Sequence, residues 1–236
     1  MVSGGFRICL RREDARRLLY LVLACDLLLA AIYLAIRLGP DLPWGPLDNL
    51  FDVDREQSIP TWFSSAQLLV VGLLLLAVVR ERLASAAPIT AALAILAAVF
   101  LFLSLDESAS IHEKITAYAF RREIHWLTAL SFRGNHGVWI AVYAVLTVAV
   151  VALSQRGLRQ LWQRARVEML WLGAGFAVFG GGAVGLEIVS YQLREHARLF
   201  VLELAAEELL EMAGVSLILY GVMMLAIRLE ETRACN

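Results

Sequence analysis

Apolar residues in this chain run in long, nearly unbroken stretches. They show neither the strict alternation of a half-buried strand nor the narrow stripe of a soluble amphipathic helix. Six stretches are separated by short polar segments, and they predict helices near 18–38, 62–82, 86–118, 137–154, 169–193 and 199–228. Each is close to the ~20 residues that a helix needs to cross hydrocarbon. In lipid every backbone N–H and C=O must be paired within its own segment, which leaves the helix as the conformation for isolated spans. The expected fold is all-α: a polytopic membrane helix bundle with about six transmembrane helices, forming one domain over residues 1–236. The third helix is expected to be continuous, because neither Gly nor Pro occurs from Ile89 to Phe132.

Composition agrees with the pattern. The 236 residues are 60% hydrophobic and 18% charged, with a mean hydropathy of +0.69. Soluble domains carry about 25% charged residues and roughly 45–50% apolar ones. A soluble dinucleotide-binding enzyme, a nucleic-acid-binding module and a disordered chain are excluded. The expected surroundings are a lipid bilayer, in a multi-pass cell-membrane protein of the bacterial inner-membrane type.

Basic residues stay on the cytoplasmic side. Arg7, Arg11, Arg12, Arg16 and Arg17 precede the first helix, so both termini are expected to be cytoplasmic. The other inner segments then hold Arg80 and Arg82, a loop with Arg156, Arg159, Arg164 and Arg166, and a tail with Arg228 and Arg233. The formal net charge of −1 hides the resulting asymmetry. Thirteen basic and six acidic residues fall inside, eight basic and fifteen acidic outside, and Asp26 lies within the first helix.

Val22-Leu23-Ala24-Cys25 resembles a lipoprotein cleavage box. The apolar run continues to Ile36, so an uncleaved first helix is expected. Cys9, Cys25 and Cys235 fall in no outer segment, so no disulfide is expected.

The outer acids concentrate on three helices. Asp106, Glu107 and Glu113 end the third, Glu187 ends the fifth after Gly180, Gly181, Gly182 and Gly185, and Glu203, Glu207, Glu208 and Glu211 begin the sixth. On a regular third helix Asp106, Ser110 and Glu113 share one face and His112 points away from them. His136 opens the fourth helix. Several carboxylates at one level cannot all ionise cheaply, so a metal, shared protons or basic partners are needed. Carboxylates with an imidazole suit iron, manganese or zinc. The predicted ligand set is Asp106, Glu107, His112, Glu113, His136, Glu187, Glu207 and Glu211, although the Glu-x-x-His pairs of di-metal bundles are missing. Glu203 and Glu208 are expected only to complement the helix dipole.

Asp26 sits mid-helix. It reads as the inner station of a proton path, or as a neutral acid hydrogen-bonded to a neighbouring helix. The connection from Gly39 to Thr61 is long enough to fold over the outer mouth as a lid. Within it Asp48, Asp52, Asp54 and Glu56 resemble fragments of a calcium loop, without the glycine and terminal Glu spacing. Ser108-x-x-x-His112 resembles one element of the alkaline ceramidase-like membrane hydrolases. That family needs a His-x-x-x-His pair where this chain has Glu207-x-x-x-Glu211, so membership is not inferred.

The favoured expectation is an integral membrane protein whose outward-facing carboxylate/histidine cluster binds a divalent metal, as in an enzyme acting on a lipid or small molecule. The alternatives are a proton- or cation-coupled transporter, and a non-catalytic subunit whose acidic rim docks a basic protein or a second copy.

Overall fold

The computed structural model describes residues 11–39, 45–55, 57–82, 87–131, 137–193 and 195–234. Its helices are α1 (Arg12–Leu38), α2 (Pro46–Leu50), α3 (Ile59–Arg82), α4 (Ala87–Ala109), α5 (Ile111–Arg121), α6 (His125–Thr128), α7 (Val138–Arg164) and α8 (Arg166–Gly180). A π-helical segment (Gly181–Leu186) continues α8 into α9 (Glu187–Leu193), and α10 (Ala197–Ala234) follows. The described residues contain no strand. Six helices are long and apolar enough to cross a membrane: α1, α3, α4, α7, α8 continued to Ser190, and α10.

The spans run up and down. Arg12 at the start of α1 is paired with Glu231 near the end of α10, at 2.9 Å. A cleft at the same end is bordered by the end of α7 and the start of α8. This is the arginine end of the bundle. The other end is formed by the end of α1, the starts of α3, α7 and α10, and the end of α4.

Helix α10 is the central post. It packs against α8, α1, α3 and the π segment, and Met212, Val215 and Ile218 are completely buried. Helix α7 lies at the rim against α4, with Val145, Val148 and Leu153 turned outward. Such broad exposed apolar faces suit acyl chains.

Lipid tails are as apolar as leucine, so burial alone gives membrane helices no reason to associate. Close backbone approach and polar ties hold them. Close approach joins α8 to α10. A Cβ at Gly175 would stand 2.6 Å from Ile218 Cγ1 and 2.8 Å from the carbonyl oxygen of Gly214. A Cβ at Gly182 would stand 2.8 Å from the Glu207 carbonyl oxygen, and one at Gly214 would collide with the backbone of Phe179. Of the expected glycine stripe only Gly182 makes this approach, because Gly180, Gly181 and Gly185 border open space.

A serine ladder ties α3 to α4. Ser65 Oγ donates to the Ser104 carbonyl at 2.9 Å, and Ser104 Oγ returns the bond to the Ser65 carbonyl at 2.9 Å. Ser108 Oγ joins Ser65 Oγ at 2.7 Å.

Three expectations are corrected. The third predicted helix does not run through to 118. It stops at Ala109, and Ser110 takes a left-handed conformation (φ 49°, ψ 45°) before α5 starts in a new direction. The fourth does not stop near 154. It runs to Arg164 because Ser154, Gly157 and Leu161 keep one face buried after the lipid-facing run ends. The expected loop shrinks to Ala165, the one residue between α7 and α8. The fifth is interrupted by the π segment, which nothing in the apolar pattern indicates.

Gly214→Ala forces the Phe179 backbone away and is expected to destabilise the protein by about 1–3 kcal/mol. Gly173→Ala, whose Cβ would meet nothing within 4 Å, is expected to be near neutral. Thermal unfolding of the two variants in the same detergent checks the difference.

Candidate functional site

At the end opposite the arginines, the helices enclose a cavity of about 640 Å³. Its first wall depends on the break at Ser110. A left-handed non-glycine residue is unfavourable by itself, and it is held here by Asp106. Asp106 Oδ1 accepts the backbone N–H of His112 at 2.8 Å, satisfying an amide in the first turn of α5. The same oxygen lies 3.3 Å from His112 Nδ1. The turn thus brings His112 back onto Asp106, where a regular helix would have pointed it away. Burial pulls the His112 pKa down, but the hydrogen bond and charge of Asp106, with Glu113 and Glu107 nearby, outweigh this and hold it above the usual value.

The second wall follows from the close approach at Gly182. It sets Glu187 at the start of α9 beside Glu207, Glu208 and Glu211 of α10, and all four line the cavity. Glu207 is hydrogen-bonded to Glu203 and lies in electrostatic range of Glu187 and Asp54. Glu211 lies in range of Glu107, Glu187, Glu207 and Glu208. Among the described residues, Arg55 is the only basic side chain besides His112 that lines the cavity.

From the connection after α1, Val53, Asp54 and Arg55 line the cavity. Its acids do not form a calcium loop. Asp52 is paired with Arg37 at 2.6 Å and lies 3.5 Å from Arg55, while Asp48 stands 4.0 Å from Arg37.

Of the eight residues expected as ligands, Asp106, Glu107, His112, Glu113, Glu187, Glu207 and Glu211 line this cavity. His136, like Glu56, lies outside the described residues. Among the described residues, no three His, Cys, Asp or Glu side chains are arranged to hold a metal ion. Ser108, the resemblance to the ceramidase-like hydrolases notwithstanding, does not line the cavity and is bonded to Ser65.

Four further lining residues with polar or aromatic side chains, Glu208, Trp139, Tyr143 and Arg55, are not in the expected ligand set. Glu208 was assigned to the helix dipole, yet it faces the cavity. Trp139 lines it from α7. Its ring stands edge-on to His112 with centroids 5.4 Å apart, and it meets Tyr143 the same way at 5.6 Å. Tyr143 Oη is buried beside Asp106. Arg55, the fourth, went unnoticed in a loop. The four-residue spacing of Trp139 and Tyr143 was the available signal.

Asp26 is apart from this site and completely buried. Gln67 Nε2 donates to its Oδ1 at 2.9 Å, and Ser216 Oγ donates to its Oδ2 at 2.7 Å. The acid therefore joins α1, α3 and α10. Cys25, beside it in sequence, is a free thiol.

The fold is that of a helical protein suited to multiple membrane crossings. The chain belongs to the family described as "Domain of unknown function (DUF8692)", which matches residues 10–225 and so takes in all six spans up to the last turns of α10. Neither the curated proteins nor the solved structures contain a match.

In metal-free protein, Asp106→Asn keeps an acceptor for the His112 amide but removes the charge. The His112 pKa is expected to fall toward or below the ordinary value of about 6.5. A raised folded-state pKa stabilises the fold below the unfolded value, and that contribution is lost as pH rises through the folded value. The melting-temperature gap between wild type and Asp106→Asn should therefore be widest at acid pH and narrow above neutrality. Histidine ring resonances followed by NMR, with melting curves across the same pH range, measure both effects.

Proposed function

We propose that the chain is a membrane metalloprotein whose acidic cavity takes a divalent cation. The observation that carries this reading is the lining: acids of α4, α5, α9 and α10 face one space together with His112. Asp106 on Nδ1 leaves Nε2 as the ring nitrogen available to an ion. Metal-binding histidines are commonly oriented by a carboxylate in this way. On this reading Asp106 orients the imidazole, while His112, Glu107, Glu187, Glu207 and Glu211 supply ligands. The ion has to draw these side chains inward, and the glutamates have three torsions each with which to follow. One nitrogen among carboxylates suits iron, manganese or zinc. A metal there would activate water or polarise a lipid or small molecule entering past the aromatic wall of Trp139 and Tyr143. In the orientation that the arginines predict, the cavity opens outward from the cell membrane.

Elemental analysis of detergent-purified protein is expected to find stoichiometric iron, manganese or zinc. Glu207→Gln with Glu211→Gln should lower it at least tenfold. Protein that is metal-free as purified, and that gives no binding on titration with Mn²⁺, Zn²⁺ or Fe²⁺, refutes the reading.

A second reading, proton-coupled cation transport, is favoured by Asp26, whose hydrogen-bond partners Gln67 and Ser216 are both neutral. The π segment beside the cavity adds a irregular stretch of the kind frequent at functional sites. Asp26→Asn should then abolish pH-driven cation flux in proteoliposomes. Unchanged flux discards the transporter and leaves the hydrogen-bonded tie between helices.

A further inference from the structure

The arginine end holds a second cleft, of about 420 Å³. It opens where α7 passes to α8 through Ala165 alone. Ala165 has no side-chain oxygen to cap α8, and the first helical bond at this end is Met169 N–H to the Ala165 carbonyl at 3.0 Å. Helix geometry leaves the earlier amides of the first turn without helical acceptors. Arg12, Arg164, Arg166 and Arg228 border the cleft. Arg12 is anchored by Glu231, and the Arg166 guanidinium lies over the Trp162 ring at 5.6 Å.

One acid borders the same cleft. Glu168, in the first turn of α8, is only 7% exposed. Among the described residues it has no hydrogen-bond or ion-pair partner, although four arginines share the cleft with it. Its carboxylate oxygens are not sealed from solvent, so the side chain opens onto the cleft. The cleft therefore presents guanidinium groups and helix amides for an anion, and one unmatched carboxylate for a cation. Val167 on its wall and Leu170 beyond it are exposed and apolar.

We propose that this cleft binds the phosphoethanolamine group of an aminophospholipid. The phosphate is taken by the arginines and by the N-terminal amides of α8, as helix N-termini and guanidinium groups favour. The ammonium is taken by Glu168, and the acyl chains lie along the apolar face of Val167 and Leu170. The position fits, because arginines and an exposed tryptophan mark the edge of a bilayer and basic pockets between helices there take lipid headgroups. The inference does not depend on the metal reading of the acidic cavity.

Native mass spectrometry of the full chain in detergent tests it, using ethanolamine, glycerol and choline phospholipids with identical acyl chains. The ethanolamine lipid is expected to be retained about tenfold better than the choline lipid, whose ammonium has no N–H to donate. Glu168→Gln should remove the preference for ethanolamine over glycerol lipid, and Glu168→Asp should restore part of it. Arg164→Ala with Arg166→Ala should weaken both lipids about tenfold. Equal retention of all three lipids by the wild-type protein overturns the proposal, as does an unchanged preference in a folded Glu168→Gln. Soluble phosphoethanolamine competing as well as the intact lipid assigns the cleft to a free headgroup and overturns the lipid occupant.

Discussion

The structure depends most on the near-contact of two helix backbones. Gly175, Gly182 and Gly214 bring α8 and its π continuation against α10 with no room for a side chain between them. In lipid this closeness takes the place that hydrophobic burial has in water, since apolar surface gains little by leaving one apolar environment for another. Its consequences reach both ends of the molecule. At one end it sets Glu187 against the glutamates of α10, and at the other it holds the uncapped start of α8 beside the end of α10. The serine ladder and the Asp26 hydrogen bonds then fasten the remaining spans to this pair.

Two polar ends result, with opposite chemistry. Among the described residues, one cavity is lined by carboxylates with a single imidazole and a single arginine, and the other cleft by arginines with a single carboxylate. Each contains a minority charge. His112 sits on Asp106 in the first, and Glu168 is left without a partner in the second. Both functional proposals start from these linings.

Much of the architecture was legible from hydropathy alone. The number of crossings needs only the length of apolar runs measured against bilayer thickness. The expected ligand set of six acids and two histidines followed from counting along helices, and its seven described members line one cavity. What counting could not supply was direction. Ser110 breaks the helix within a stretch free of Gly and Pro because Asp106 satisfies the amide exposed by the break, a contact six residues apart that no propensity describes. The error that placed His112 opposite Asp106 came from assuming a regular helix across that point. Ending α7 near 154 had the opposite origin: a hydropathy reading stops where lipid stops, whereas a helix stops where its buried face stops, here Leu161.

The sequence by itself determined that the chain forms about six helices able to cross a membrane, and that acids are in excess at one end and arginines at the other. Those are properties of composition and spacing, which a low-dielectric slab reads one helix at a time. Only the tertiary structure decided which acids meet. Glu208 joins the cavity and Ser108 leaves it, Asp52 is absorbed by Arg37, and Asp26 becomes a tie among three helices. These outcomes depend on how each helix is rotated about its axis, and that rotation is set by glycine contacts and hydrogen bonds between residues as far apart as Asp26 and Ser216.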